Sequence, residues 1–131
     1  MLKSQMNKKY QILKDIFGHD KFRSFQEEVV DCILANQDVL TILPTGGGKS
    51  LCYQLPTLLM NGTTVVISPL IALMQDQIKA LNDLNISAEM ISSATSNDEN
   101  SFTLQKLLNG ELKFIYVAPE RFTSNEFVSV L

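Results

Sequence analysis

LPTGGGKSLCYQ (residues 43–54) sets three consecutive glycines directly ahead of a lysine and a serine. Glycine adopts backbone angles that side chains forbid, so such a run can turn several N–H groups toward one anion. A helix beginning at the lysine adds the partial positive charge of its N-terminus at the same place. In such a loop a lysine reaches terminal phosphates and a serine hydroxyl holds Mg²⁺. On this reading Thr45, Gly46, Gly47 and Gly48 form a phosphate cradle, Lys49 supplies the catalytic charge and Ser50 the Mg²⁺ contact. The general pattern GxxxxGK[ST] has Leu43 at its first position here. The bland alternative is a flexible glycine turn with an incidental lysine. The surrounding pattern of apolar strand, loop and helix favours the cradle.

Working outward, the chain alternates between two hydrophobic periods. Residues 3–17 have helical spacing through Tyr10, Leu13 and Phe17, and Gly18 breaks the pattern. Ser24 and Glu27 stand at capping-box spacing ahead of a face formed by Phe25, Val29 and Ile33. VLTIL (39–43) reads as a strand feeding the glycine loop, and Asn61-Gly62 as the end of the helix that follows it. TVVIS (64–68) is a second buried strand. Pro69 then opens a helix carrying Leu70, Leu73, Ile78 and Leu81. AEMIS (88–92) and KFIYV (113–117) are further strands, separated by a helix over 98–108 that ends at Asn109-Gly110. Pro119 opens another helix. Apolar strands alternating with helices predict a parallel sheet covered on both faces. Ligands of such sheets bind at the carboxyl ends of the strands. PTGGGKS, SPLIALMQDQ and APERF all stand at those ends.

The bulk properties fit one soluble α/β domain. The chain has 131 residues, 45% of them hydrophobic and 19% charged, and no apolar stretch approaches a membrane span. No signal peptide is read at the start, and no membrane partner is expected. Cys32 and Cys52 stand twenty positions apart, which suits buried thiols in a cytoplasmic protein rather than a metal knuckle. The net charge of −3 is uneven: residues 1–23 hold six basic and two acidic residues, the remainder five and twelve. An acidic remainder argues against a broad nucleic-acid face, so any such contact would be local.

The quoted motifs together resemble the RecQ group of superfamily 2 DNA helicases. LPTGGGKSLCYQLP is similar to the group's nucleotide-binding motif, in which Leu or Met often replaces the first glycine. FGHDKFRSFQ (17–26) looks like motif 0, VVISPLIALMQDQ (65–77) like motif Ia, and YVAPERF (116–122) like motif Ib. DEAD-box RNA helicases match less well, because their motif Ia carries a PTREL-type sequence that is absent here. The resemblance implies a three-layer, parallel-sheet P-loop NTPase domain of RecA-like fold, with ATP and Mg²⁺ as cofactors. It implies that Gln26 hydrogen-bonds the adenine edge, that Arg23 lies against the base or near the phosphates, and that His19 takes the stacking position. It also implies that Ser68, Pro69, Leu70 and Arg121 meet the backbone of DNA, single-stranded or at a duplex junction. Read from the residues alone, Gln26 is also a polar residue on a first helical turn. Ser68-Pro69 is also a strand-to-helix turn, and Arg121 also a partner for an internal carboxylate.

In such enzymes hydrolysis needs a further acidic motif, Asp for Mg²⁺ and Glu for the attacking water. No DEAH or DExH string occurs in residues 1–131. The expectation is therefore the N-terminal part of a first motor lobe, covering motifs 0, I, Ia and Ib and incomplete at its C-terminus. Such a piece binds nucleotide at most and self-associates through exposed sheet edges. Two other readings are a different P-loop enzyme, such as a small-molecule kinase, and a nucleotide-binding module without catalysis.

Overall fold

β-Branched and aromatic residues in runs of four build two of the strands, TVVI and FIYV, and the third is the mixed run AEMI. In the computed structural model, which describes residues 3–44 and 48–131, these are β1 (Thr64–Ile67), β2 (Ala88–Ile91) and β3 (Phe114–Val117). All pairing is parallel, in the order β1-β3-β2. Thr64 lies opposite Phe114, and Phe114 opposite Ala88. The central strand β3 is buried at every residue, as a parallel strand covered on both faces requires. The helices are α1 (Lys3–Asp15), α2 (Gln26–Leu34), α3 (Lys49–Leu58), α4 (Ile71–Asp83), α5 (Asn97–Leu108) and α6 (Asn125–Val130). A 3₁₀ turn over Pro119–Thr123 has Pro119 in its first turn.

The chain divides into two compact units, Met1–Asn61 and Gly62–Leu131. In the second, Ile91, Ile115 and Val117 of the sheet pack with Leu104, Leu112 and Phe127 in one apolar cluster. The first is helical, and its core joins Leu13, Val30, Leu51 and Leu55. Lys9, 1% exposed, ties α1 to α2 through Asp31 at 2.6 Å and Glu27 at 2.9 Å. Tyr10 also donates to Glu27.

This cluster makes stability depend on pH. The Tyr10 and Lys9 hydrogen bonds hold the Glu27 carboxyl below its usual 4.5. Burial pulls the Lys9 ammonium down, but Asp31 and Glu27 outweigh it and the net shift is upward from 10.5. The Glu27 contribution is present above 4.5 and disappears as pH falls through its lowered folded value. The Lys9 contribution is present below 10.5 and disappears as pH rises through its raised one. Lys9→Met should cost about 1–2 kcal/mol near neutrality, since both carboxylates are partly solvated and screened. The cost should shrink below pH 4.5. Urea titrations at neutral and acid pH check both statements.

Several sequence expectations are corrected. VLTIL (39–43) forms no strand, and Leu40 and Ile42 are 87% and 86% exposed. Strand propensity is realised only against a paired neighbour, and the described ladder contains only β1, β3 and β2. The Ser24–Glu27 capping box does not form, because Glu27 is drawn to Lys9 and Tyr10. Phe25 instead caps α2 in the left-handed region at φ 71° and is 66% exposed, off the buried face. The glycine-loop helix stops at Leu58, and Gly62, at φ +88°, belongs to the turn before β1. Pro69 does not open α4, which starts at Ile71 after the Ser68 hydroxyl accepts the Leu70 N–H at 3.2 Å. That helix buries Met74 and Leu81, while Leu70 and Leu73 are exposed. Ile67 is 56% exposed, so β1 is not fully buried. Cys32 is only half-buried, and both thiols are free.

Candidate nucleotide-binding site

Thr45, Gly46 and Gly47 lie outside the described residues. The cradle's last residue, Gly48, has φ +76°, ψ 36° and caps the N-terminus of α3. That is the left-handed region, which costs an L-residue with a side chain about 1–2 kcal/mol. Space forbids a side chain as well: a Cβ on Gly48 would fall 2.2 Å from Gln26 Nε2. Lys49 and Ser50 form the first turn of α3, the lysine exposed and the serine half-buried.

Gln26 is 3% exposed, and its amide works in both directions. Nε2 donates to the Gly48 carbonyl at 3.0 Å, and Oε1 accepts the Arg23 N–H at 2.7 Å. Motif 0 and the glycine loop therefore meet through one side chain. The structure brings Arg23, Gln26, Gly48, Lys49 and Ser50 into one neighbourhood. His19 is exposed beyond α1, its N–H bonded to the Leu13 carbonyl at 3.0 Å. One turn into α3, the Cys52 thiol points at the Gly48 carbonyl, 3.8 Å away, and burial raises its pKa.

A second group lies at the carboxyl rim of the sheet. The Ser68 N–H donates to the Val117 carbonyl at 3.1 Å, tying the end of β1 to the end of β3. Pro69 and Leu70 are exposed beside it. Arg121 is half-buried, and its Nη2 donates to the Ser92 carbonyl at 2.9 Å. This partner is a backbone carbonyl at the end of β2, where the sequence had suggested a carboxylate. Ser92, which sequence reading missed, is fully buried, and its carbonyl also accepts from Thr95 Oγ1 at 2.9 Å and Asn100 Nδ2 at 3.2 Å. The available signal was the run of small polar residues SSATSN directly after a strand.

A left-handed glycine at the start of a helix, on a chain with a parallel three-stranded sheet and flanking helices, fits a RecA-like α/β domain. Residues 23–129 match the DEAD/DEAH box helicase family, and the chain belongs to that family. Among its relatives is the ATP-dependent DNA helicase RecQ of Bacillus subtilis, 49% identical over 92% of this chain and 20% of that protein. Another is the ATP-dependent DNA helicase Q-like 2 of Arabidopsis thaliana, 46% identical over 89% of this chain and 17% of that protein. The chain spans about a fifth of the length of these relatives. The fold is also that of the DUF1998 helicase MrfA, with a TM-score of 0.71 and 24% identity over 95% of this chain and 18% of that one.

Proposed function

We propose that this chain is the nucleotide-binding portion of an ATP-dependent DNA helicase of the RecQ type. The observation that carries the reading is the Gly48 junction. A glycine that admits no side chain, held by a buried glutamine amide, leads directly into Lys49 and Ser50 at a helix start. These features suit a group with phosphates: the crowded backbone would be approached closely, and helix dipole and lysine both favour negative charge. Lys49 would hold the terminal phosphates of ATP and Ser50 the Mg²⁺. Bound ATP would supply the phosphoryl chemistry, while the chain binds and orients it. Gln26 would present the rest of its amide edge to the base, with Arg23 and His19 beside it.

DNA is the proposed partner of the whole protein, met at the rim by Ser68, Pro69, Leu70 and Arg121. The kinship with DNA helicases of the RecQ group supports that partner. We place the protein in the cytoplasm. The test is a longer polypeptide containing these residues, assayed for ATP hydrolysis with and without single-stranded DNA. Stimulation by DNA supports the helicase reading, and hydrolysis indifferent to DNA contradicts it.

Two expectations concern residues 1–131 alone. Since they contain no DExH string, ATP hydrolysis should be negligible. Steady phosphate release that Lys49→Ala abolishes would contradict this. β1 is an outer strand of the described sheet and ends in the exposed Ile67 beside exposed Leu70. Light scattering should therefore show concentration-dependent self-association. A monomer at high concentration would count against it.

A further inference from the structure

Among the described residues, the outer edge of β2 is closed at two rungs and open at one. Toward β3, the carbonyls of Ser87 and Ile91 accept from Phe114 N–H at 3.1 Å and Ala118 N–H at 3.3 Å. Strand alternation then turns the N–H and C=O of Ala88, Met90 and Ser92 outward. At Ala88 the Asn82 side chain takes both: the Ala88 N–H donates to Oδ1 at 3.2 Å, and Nδ2 donates to the Ala88 carbonyl at 3.4 Å. At Ser92 the N–H donates to Thr95 Oγ1 at 3.2 Å, and the carbonyl is taken by Thr95, Asn100 and Arg121. Met90 stands between these caps. It borders a groove of about 530 Å³ between α4 and α5, which Ile78 and Phe102 also line.

We propose that this groove is a binding site for a small planar group bearing a carboxamide or lactam edge. The precedent lies one rung away, where the Asn82 carboxamide bridges the N–H and C=O of Ala88 on this same strand. An acceptor and a donor side by side would meet the Met90 N–H and C=O in the same way. Phe102, 64% exposed, offers ring surface to a flat ligand, with the Lys106 ammonium 4.9 Å from its centroid. The caps at Ala88 and Ser92 exclude an added β-strand, which needs consecutive free rungs. One planar group fits where a strand does not.

The test is ¹⁵N NMR of the 131-residue chain titrated with uracil, nicotinamide and 1,3-dimethyluracil. Saturable shifts centred on the Met90 amide are expected with uracil or nicotinamide. Uracil alone would identify a lactam ligand and nicotinamide alone a carboxamide. Dimethyluracil, which lacks the donor, should bind roughly fivefold more weakly or not at all. Met90→Pro removes the outward N–H, which an edge strand tolerates, along with the methionine side chain, and should abolish the response. Phe102→Ala, on an exposed face, should weaken it severalfold, and it decides the matter should the proline variant misfold. Equal response to dimethyluracil, or no response to either probe at millimolar concentration, overturns the proposal.

Discussion

Lys49→Ala should weaken Mg·ADP binding about a hundredfold while leaving the fold intact. The lysine is exposed on the first turn of α3. Removing it should change stability by less than about 0.5 kcal/mol, as at other surface positions. In the proposed complex its ammonium makes charge-assisted contacts to phosphate. Such contacts are worth about 2–3 kcal/mol, which corresponds to roughly one to two orders of magnitude in affinity. Calorimetry gives the binding and urea denaturation the stability. Equal affinity in the variant would remove Lys49 from the site. Parallel loss of binding and stability would make its role structural.

Gly48→Ala should damage both. An alanine at φ +76° pays about 1–2 kcal/mol for the left-handed conformation. Its Cβ, 2.2 Å from Gln26 Nε2, also forces the amide from the Gly48 carbonyl. The displaced atom is the end of a side chain, but that side chain is buried and bonded to the Arg23 N–H as well. A stranded buried amide costs about 1–3 kcal/mol. The whole effect should be about 2–5 kcal/mol. Combining the change with Gln26→Ala should relieve the steric part and leave the backbone part, so the two substitutions should couple. A Gly48→Ala chain as stable as its parent would show that the junction is not held as described.

Much of this was legible in the sequence because it rests on local rules. Residues 64–67 and 114–117 form strands where β-branched and aromatic runs are bounded by turn residues. The helix over 97–108 is capped by Ser96, whose side chain accepts the Glu99 N–H, and ends at Asn109 before Gly110 at φ +72°. The helix opening at Lys49 was likewise visible. What sequence could not show were competitions decided by distant partners. Glu27 had the spacing for a capping box, yet Lys9, eighteen positions away, took its carboxylate. Residues 39–43 have strand composition, yet that composition needs a ladder to act on. Gln26 was visible as a base-binding candidate, but its hold on Gly48, twenty-two positions along the chain, was not. Arg121 had a polar partner, but nothing local named the Ser92 carbonyl.

The central claim is that the loop ending at Gly48, with Lys49 and Ser50, is a nucleotide site. Titration of the 131-residue chain with Mg·ADP in a calorimeter tests it most directly. The account predicts saturable binding with one nucleotide per chain, lost when Mg²⁺ is replaced by chelator and ADP by adenosine. Absence of heat and of competition with a fluorescent nucleotide at millimolar ADP would contradict it.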